Sequence, residues 1–254
     1  MGASCARCGD ALNSSGGAAL STLCRACRLA PPPFERAVAY GLYQGRMREA
    51  IHALKYGRLR PAARGLGQML AEAIGQLDGA APGEMLVIPI PLHRSKYAQR
   101  GFNQARSLAA EAIRALRKSH PEWKLTLAAN TLMRLRATES QAGLTPRQRR
   151  QNLRGAFSVS DAAQIAGQHV LLVDDIMTTG ATARAAAQTL IRAKAASVWV
   201  ATLARAQRVG GFAADSVYEE EEAVETDELA STFQASAFAP ISSGSSALQE
   251  RRSH

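Results

Sequence analysis

Two adjacent carboxylates, Asp174 and Asp175, stand just before a run of small and hydroxyl residues: Thr178, Thr179, Gly180, Ala181 and Thr182. All lie within HVLLVDDIMTTGATARAAAQTL, which begins at His169. Threonine hydroxyls donate to phosphate oxygens, and a glycine lets the backbone approach a phosphate closely. Carboxylates beside a phosphate site bind sugar hydroxyls, a metal ion, or both. The residue types therefore ask for a ligand that is phosphate at one end and polyol at the other.

The elements that must position them are legible on either side. The apolar run Val170, Leu171, Leu172, Val173 has the length and composition of a buried parallel strand. Residues 183–190 turn helical and Ala-rich. A strand that enters a loop and then a helix gathers backbone N–H groups and a positive dipole end at one point, an anion site. It also leaves the Asp pair at the carboxyl end of the strand, where open α/β sheets bind ligands. The block VLLVDDIMTTGAT resembles the 5-phosphoribosyl-1-pyrophosphate (PRPP) motif of type I phosphoribosyltransferases. The resemblance implies that Asp174 and Asp175 are the catalytic pair that holds the ribose hydroxyls, and that residues 178–182 cradle the 5′-phosphate.

A second junction repeats the theme. Residues 85–88 read as a short buried strand ending in Pro89-x-Pro91, which forces an extended turn. His93, Arg94, Lys96 and Arg100 follow within eight positions. Arg94, Lys96 and Arg100 are the candidates to neutralise a pyrophosphate beside the 5′-phosphate site. A helix over 103–117 follows, with Asn103 as its cap. Two amphipathic helices, 45–56 and 61–77, read as packing against a sheet, and the spacing does not decide whether Lys55 faces the site. Residues 132–135 read as a strand and 197–203 as the last clear one. Elements in this order predict β-α units on a parallel sheet.

All four cysteines lie in the first 30 residues: Cys5, Cys8, Cys24 and Cys27, spaced C-x2-C-x15-C-x2-C. That is a zinc-ribbon pattern, a closed four-thiolate site and so structural. The rival, two disulfides, is disfavoured by the lack of a secretion signal. Pro31-Pro32-Pro33 reads as a stiff linker after the ribbon.

The four-Cys ribbon, PIPLHRSKYAQRGFNQA and VLLVDDIMTTGAT together are similar to the ComF family, phosphoribosyltransferase-like proteins associated with DNA uptake in natural transformation. The likeness spans residues 5–205. Within it, RLRATESQAGLTPRQRRQNLRGAF, from Arg134, resembles the family's R-x-x-x-T-x-x-Q…R…N-L-x-G-x-F segment. In type I enzymes the corresponding region closes over the reaction centre and excludes water. Gln141 and Arg147 are its site candidates, and Thr145-Pro146 reads as a helix start.

The expected layout is a zinc ribbon (1–30), an α/β type I phosphoribosyltransferase-like domain (34–205) and an acidic, Ser-rich tail (206–254) expected to be disordered. The tail carries three Lys/Arg and nine Asp/Glu, a net −6, so residues 1–205 carry +16. Such a body suits a polyanion. Aromatics make up only 5%, against a surface of stacked bases. No apolar run approaches membrane-spanning length, so no membrane insertion is expected and the expected compartment is the cytoplasm. Two functions compete. One is an enzyme that binds PRPP with Mg²⁺ and transfers the phosphoribosyl group. The other is a competence protein that keeps the fold and binds single-stranded DNA alongside other DNA-uptake proteins.

Overall fold

The computed structural model describes residues 4–12, 22–56, 62–136 and 155–206. The elements run α1 (Arg25–Leu29), β1 (Ala37–Leu42), α2 (Gly45–Tyr56), α3 (Ala62–Gly75), β2 (Glu84–Pro89), α4 (Arg94–Arg100), α5 (Gln104–Ser119) and β3 (Lys124–Leu127). Then come β4 (Leu132–Arg134), β5 (Phe157–Val159), β6 (His169–Met177), α6 (Ala181–Arg192) and β7 (Ser197–Arg205). Five strands form one sheet in the order β1-β7-β6-β2-β3, all parallel. β4 and β5 pair antiparallel in a separate ribbon.

The central strands are apolar because both their faces are covered, the usual condition of a parallel sheet. Leu171 and Val173 of β6 join a core with α3 and α5, built on Leu70, Ile74, Leu108 and Leu116. Val170 and Leu172 point the other way, into a core with α6 that holds Ala186, Ala187 and Leu190. Burying an aliphatic side chain of this size is worth about 1.5–3 kcal/mol. Substitution in β6 would therefore cost stability long before it reached the chemistry. α3 and α5 meet closely at Gly67, where an added Cβ would sit 2.3 Å from the Cβ of Glu111.

Four elements escape the sequence reading, the five-residue α1 among them. The cation-rich stretch after β2 is not a loop but the helix α4, capped by the His93 side chain, which accepts from the Ser95 N–H. It buries no residue, so it has no apolar stripe to read. β3 is a short edge strand with one buried residue, and β5 has three residues. The strand expected at 132–135 is present, but outside the main sheet. Asn103 does cap α5, accepting from the Arg106 N–H at 3.3 Å. Among the described residues no helix is long and apolar enough to cross a membrane. Gln141, Arg147, the Thr145-Pro146 helix start and the tail from 207 on lie outside the described residues.

Candidate functional site

β6 continues through both aspartates to Met177, so the Asp pair sits in the last residues of a central strand and not in the loop after it. The flanking strands and two cores fix that backbone, which holds the carboxylates on rigid support. Asp175 is 5% exposed. Its Oδ1 accepts from the Ile176 N–H at 2.9 Å, and its Oδ2 lies 3.5 Å from Nζ of Lys55. The Lys55 question is thereby answered: the last turn of α2 turns it to the pair. Asp174 is half-buried, accepts from the Asp175 N–H at 2.9 Å, and lines a cleft with Ile90, Thr179, Gly180, Thr182 and Thr202.

The two carboxyls divide one proton unequally. Burial and the neighbouring Asp175 charge push Asp174 well above the usual carboxylate range. Burial pushes Asp175 up as well, but the Lys55 ammonium, the hydrogen bond from Asp174 and the Arg100 charge outweigh it and hold Asp175 below. Arg134 of β4 is close enough to Asp174 to feel its charge, and its guanidinium lies 5.7 Å from the Phe157 ring centroid. The site thus holds one pinned carboxylate and one carboxyl that can donate or accept.

The loop after β6 follows its sequence. Gly180 adopts φ +73°, the left-handed region, as the N-cap of α6. The Thr179 hydroxyl accepts from the Ala181 N–H at 3.3 Å. The first N–H groups of this twelve-residue helix have no carbonyl partner within it, so the start of α6 can take an anion. A Cβ at Gly180 would meet Cε of Met177 at 2.7 Å. Gly180→Ala therefore imposes left-handed strain and makes the flexible end of the Met177 side chain shift. We expect a loss of about 1–3 kcal/mol in denaturant unfolding. Unchanged stability in that variant would rule out this account of the turn.

Arg100 ends α4 with its Nη2 donating to the Tyr56 hydroxyl at 3.1 Å and its guanidinium 5.1 Å from that ring's centroid. It is close enough to Asp175 to act on its charge. Lys96, four residues earlier, shares its helix face, whereas Arg94 is exposed and lies on another. Asn103 Nδ2 donates to the Ile90 carbonyl at 3.0 Å and ties the start of α5 to the end of β2. Of the predicted residues, the structure brings the Asp pair, the loop and Arg100 to one end of the sheet. Lys55, Tyr56 and Arg134 join them, each from an element distant in sequence.

A family described as "Phosphoribosyl transferase domain" matches residues 99–228. DNA utilization protein YhgH of Escherichia coli O157:H7 is 34% identical over 72% of this chain and 77% of its own length. Competence protein F of Haemophilus influenzae is 28% identical over 80% of this chain and 84% of its own. This chain belongs to the ComF family of phosphoribosyl transferase-domain proteins. Among solved structures, a glutamine PRPP amidotransferase from B. subtilis aligns at 22% identity over 56% of this chain and 26% of its own. Its TM-score is 0.35, too low to bear on the site.

The ComF-type four-cysteine cluster is assembled. The Sγ atoms of Cys5, Cys8, Cys24 and Cys27 lie within 4.8 Å of one another. Cys8 and Cys24 Sγ are 3.7 Å apart. A tetrahedral site with Zn–S bonds of about 2.3 Å needs sulfurs about 3.8 Å apart, so the spacing fits zinc, and it is too long for a disulfide. The Cys24 N–H donates to Cys5 Sγ at 3.3 Å. Burial raises Cys5, but N–H donors from Cys24, Cys8 and Arg7 more than offset it and bring it to about 7. Burial raises Cys8 to about 11 and pushes Cys27 higher still. Thiols raised like those of Cys8 and Cys27 become thiolates readily only against a cation. Cys5, Cys8 and Cys27 also pack on Phe34 and Ala37, which joins the ribbon to the α6 side of the sheet.

Proposed function

We propose that this protein binds PRPP and transfers its phosphoribosyl group to a nucleophile, releasing pyrophosphate. The observation that carries the reading is the juxtaposition of Asp174 and Asp175 at the carboxyl end of β6 with the left-handed Gly180 turn at the start of α6. In this reading residues 178–182 hold the 5′-phosphate through N–H and hydroxyl donors. Asp174, the carboxyl open to the cleft, takes the ribose hydroxyls. Asp175, tied to Lys55, orients its neighbour and keeps negative charge near the anomeric carbon, where positive charge grows in the transition state. Arg100, with Lys96 on its face, meets the pyrophosphate. The nucleophile's lone pair forms the new bond to C1 as the C1–O bond to pyrophosphate breaks. That electron pair leaves with pyrophosphate, and the nucleophile's proton passes to solvent.

Mg²⁺ fits the donor set, since a carboxyl open to the cleft beside threonine hydroxyls is hard oxygen chemistry. Bound with the substrate through Asp174, it would supply charge neutralisation to the leaving group. The test is calorimetric titration of the purified protein with PRPP and Mg²⁺. Binding in the micromolar range is expected, and its absence would retire the proposal.

A second reading is supported by the +16 carried by residues 1–205 and by relatives named for DNA utilization and competence. In this reading the chain handles single-stranded DNA through its phosphates, with affinity that falls steeply with salt. Oligonucleotide binding that vanishes with PRPP binding on the same Asp substitutions would indicate one shared site. Binding that survives them would indicate two.

A further inference from the structure

One buried cation lies outside the machinery above. Arg205, the last residue of β7, is 4% exposed. Its Nη1 donates to the Met177 carbonyl at 2.8 Å and to the Thr178 carbonyl. Its Nη2 lies 3.7 Å from Oδ1 of Asp10, itself 7% exposed. Asp10 follows Cys8 by two residues, and its carbonyl accepts from the Cys5 N–H at 2.7 Å, so its backbone belongs to the first cysteine turn. The Ala206 N–H also donates to the Met177 carbonyl, at 3.1 Å. One guanidinium therefore touches the four-cysteine ribbon, the last residue of β6 and the first residue of the loop after it.

The geometry has a direct consequence for the loop. In a trans peptide the N–H points opposite to the carbonyl before it. Holding the Met177 and Thr178 carbonyls toward Arg205 turns the Thr178 and Thr179 N–H groups the other way. A planar fork of donors is pre-organised to hold two carbonyls and a carboxylate together. Without Asp10 the guanidinium is a buried charge lacking its carboxylate, and such a charge moves toward water or a new partner. Any such movement releases the two carbonyls.

We propose that Arg205 is a positioning residue whose grip on the loop depends on Asp10, so that the metal state of the ribbon sets the anion affinity of the loop. The part that concerns phosphate rests on the function proposed above; the coupling of ribbon to loop does not. The variants are Asp10→Ala and Asp10→Asn in the full-length protein, compared with the wild type before and after removal of zinc by a chelator. Two readouts are taken: hydrogen exchange of the amides of residues 178–183, and the PRPP dissociation constant with Mg²⁺. Zinc content and melting temperature are measured alongside.

In zinc-retaining Asp10→Ala we expect faster loop exchange and roughly tenfold weaker PRPP binding. Stripping the wild type should do the same, and stripping Asp10→Ala should add little. Wild-type exchange in a zinc-retaining Asp10 variant overturns the coupling. So does a chelator effect as large in Asp10→Ala as in the wild type. If Asp10→Ala itself loses zinc, Arg205→Lys decides, because it leaves the ribbon residues intact. Loop exchange must rise in that variant with zinc retained, and unchanged exchange overturns the proposal. Coupled exchange in a wild type that fails to bind PRPP would leave the coupling standing and retire the phosphate reading alone.

Discussion

Asp174→Asn is expected to make the protein more stable at neutral pH while removing the affinity for PRPP proposed above. Asp174 has a folded pKa raised well above its ordinary 3.8, by burial first and by the Asp175 charge second. Above 3.8 the folded state therefore holds more proton than the unfolded chain, and this group's contribution to stability falls as pH rises through the folded pKa. Asparagine keeps the shape and removes the ionisation. Its gain over wild type in melting temperature should widen as the pH is raised above 3.8. Binding should move oppositely, by more than a hundredfold, because an amide cannot replace a carboxylate toward paired hydroxyls and a cation. A structural carboxylate would lose stability on the same change, so a destabilised Asp174→Asn that still binds PRPP would defeat the reading.

Asp175 has the opposite sign. Its folded pKa lies below 3.8, so its contribution is present above that value and lost as pH falls through the folded pKa. Removing it takes the paired carboxylate from Lys55, whose side chain is only 10% exposed, and breaking a buried pair costs about 3–5 kcal/mol. Loss of function in Asp175→Ala would thus be confounded with loss of fold, which is why Asp174 is the informative position.

The second large effect is expected from the ribbon. We expect the purified protein to carry one zinc per chain by elemental analysis. Removing the metal, or replacing Cys27 by serine, should lower the melting temperature by on the order of 10 °C, since a loss of 3–5 kcal/mol shifts a domain of this size by that much. Cys5, Cys8 and Cys27 are part of the α6-side core, so the loss is not confined to a peripheral module. A metal-free protein that melts like the native one would show the ribbon to be energetically independent.

The sequence and the structure agree where chemistry is local. Asp174, Asp175 and residues 178–182 are contiguous, and a strand, a turn glycine and a helix cap can each be read from their own residues. The four cysteines carry their geometry in their spacing. Lys55, Arg134, Arg205 and Asp10 are different. Each reaches the site only through tertiary placement, from α2, β4, β7 and the first cysteine turn. Arg205 did leave a trace, since it closes SVWVATLAR, a strand otherwise without charge. An arginine at the end of a buried strand needs a buried partner, but nothing in the chain says that the partner is 195 positions away. α4 was hidden because a cationic helix that buries nothing looks like a solvated loop.

The contact at Ala37 bears on a different property. β1 is one edge of the sheet, and an edge strand offers unpaired N–H and C=O groups to any other strand. The Ala37 N–H is taken by the Arg7 carbonyl at 2.8 Å, with Arg7 and Glu35 paired beside it at 3.4 Å. Farther along the same strand Tyr40 and Leu42 are 37% and 39% exposed. The ribbon is thus a cover for the start of a sticky margin. Chelated protein should scatter light as chains add edge to edge, so the metal's service would extend to solubility in a crowded cell.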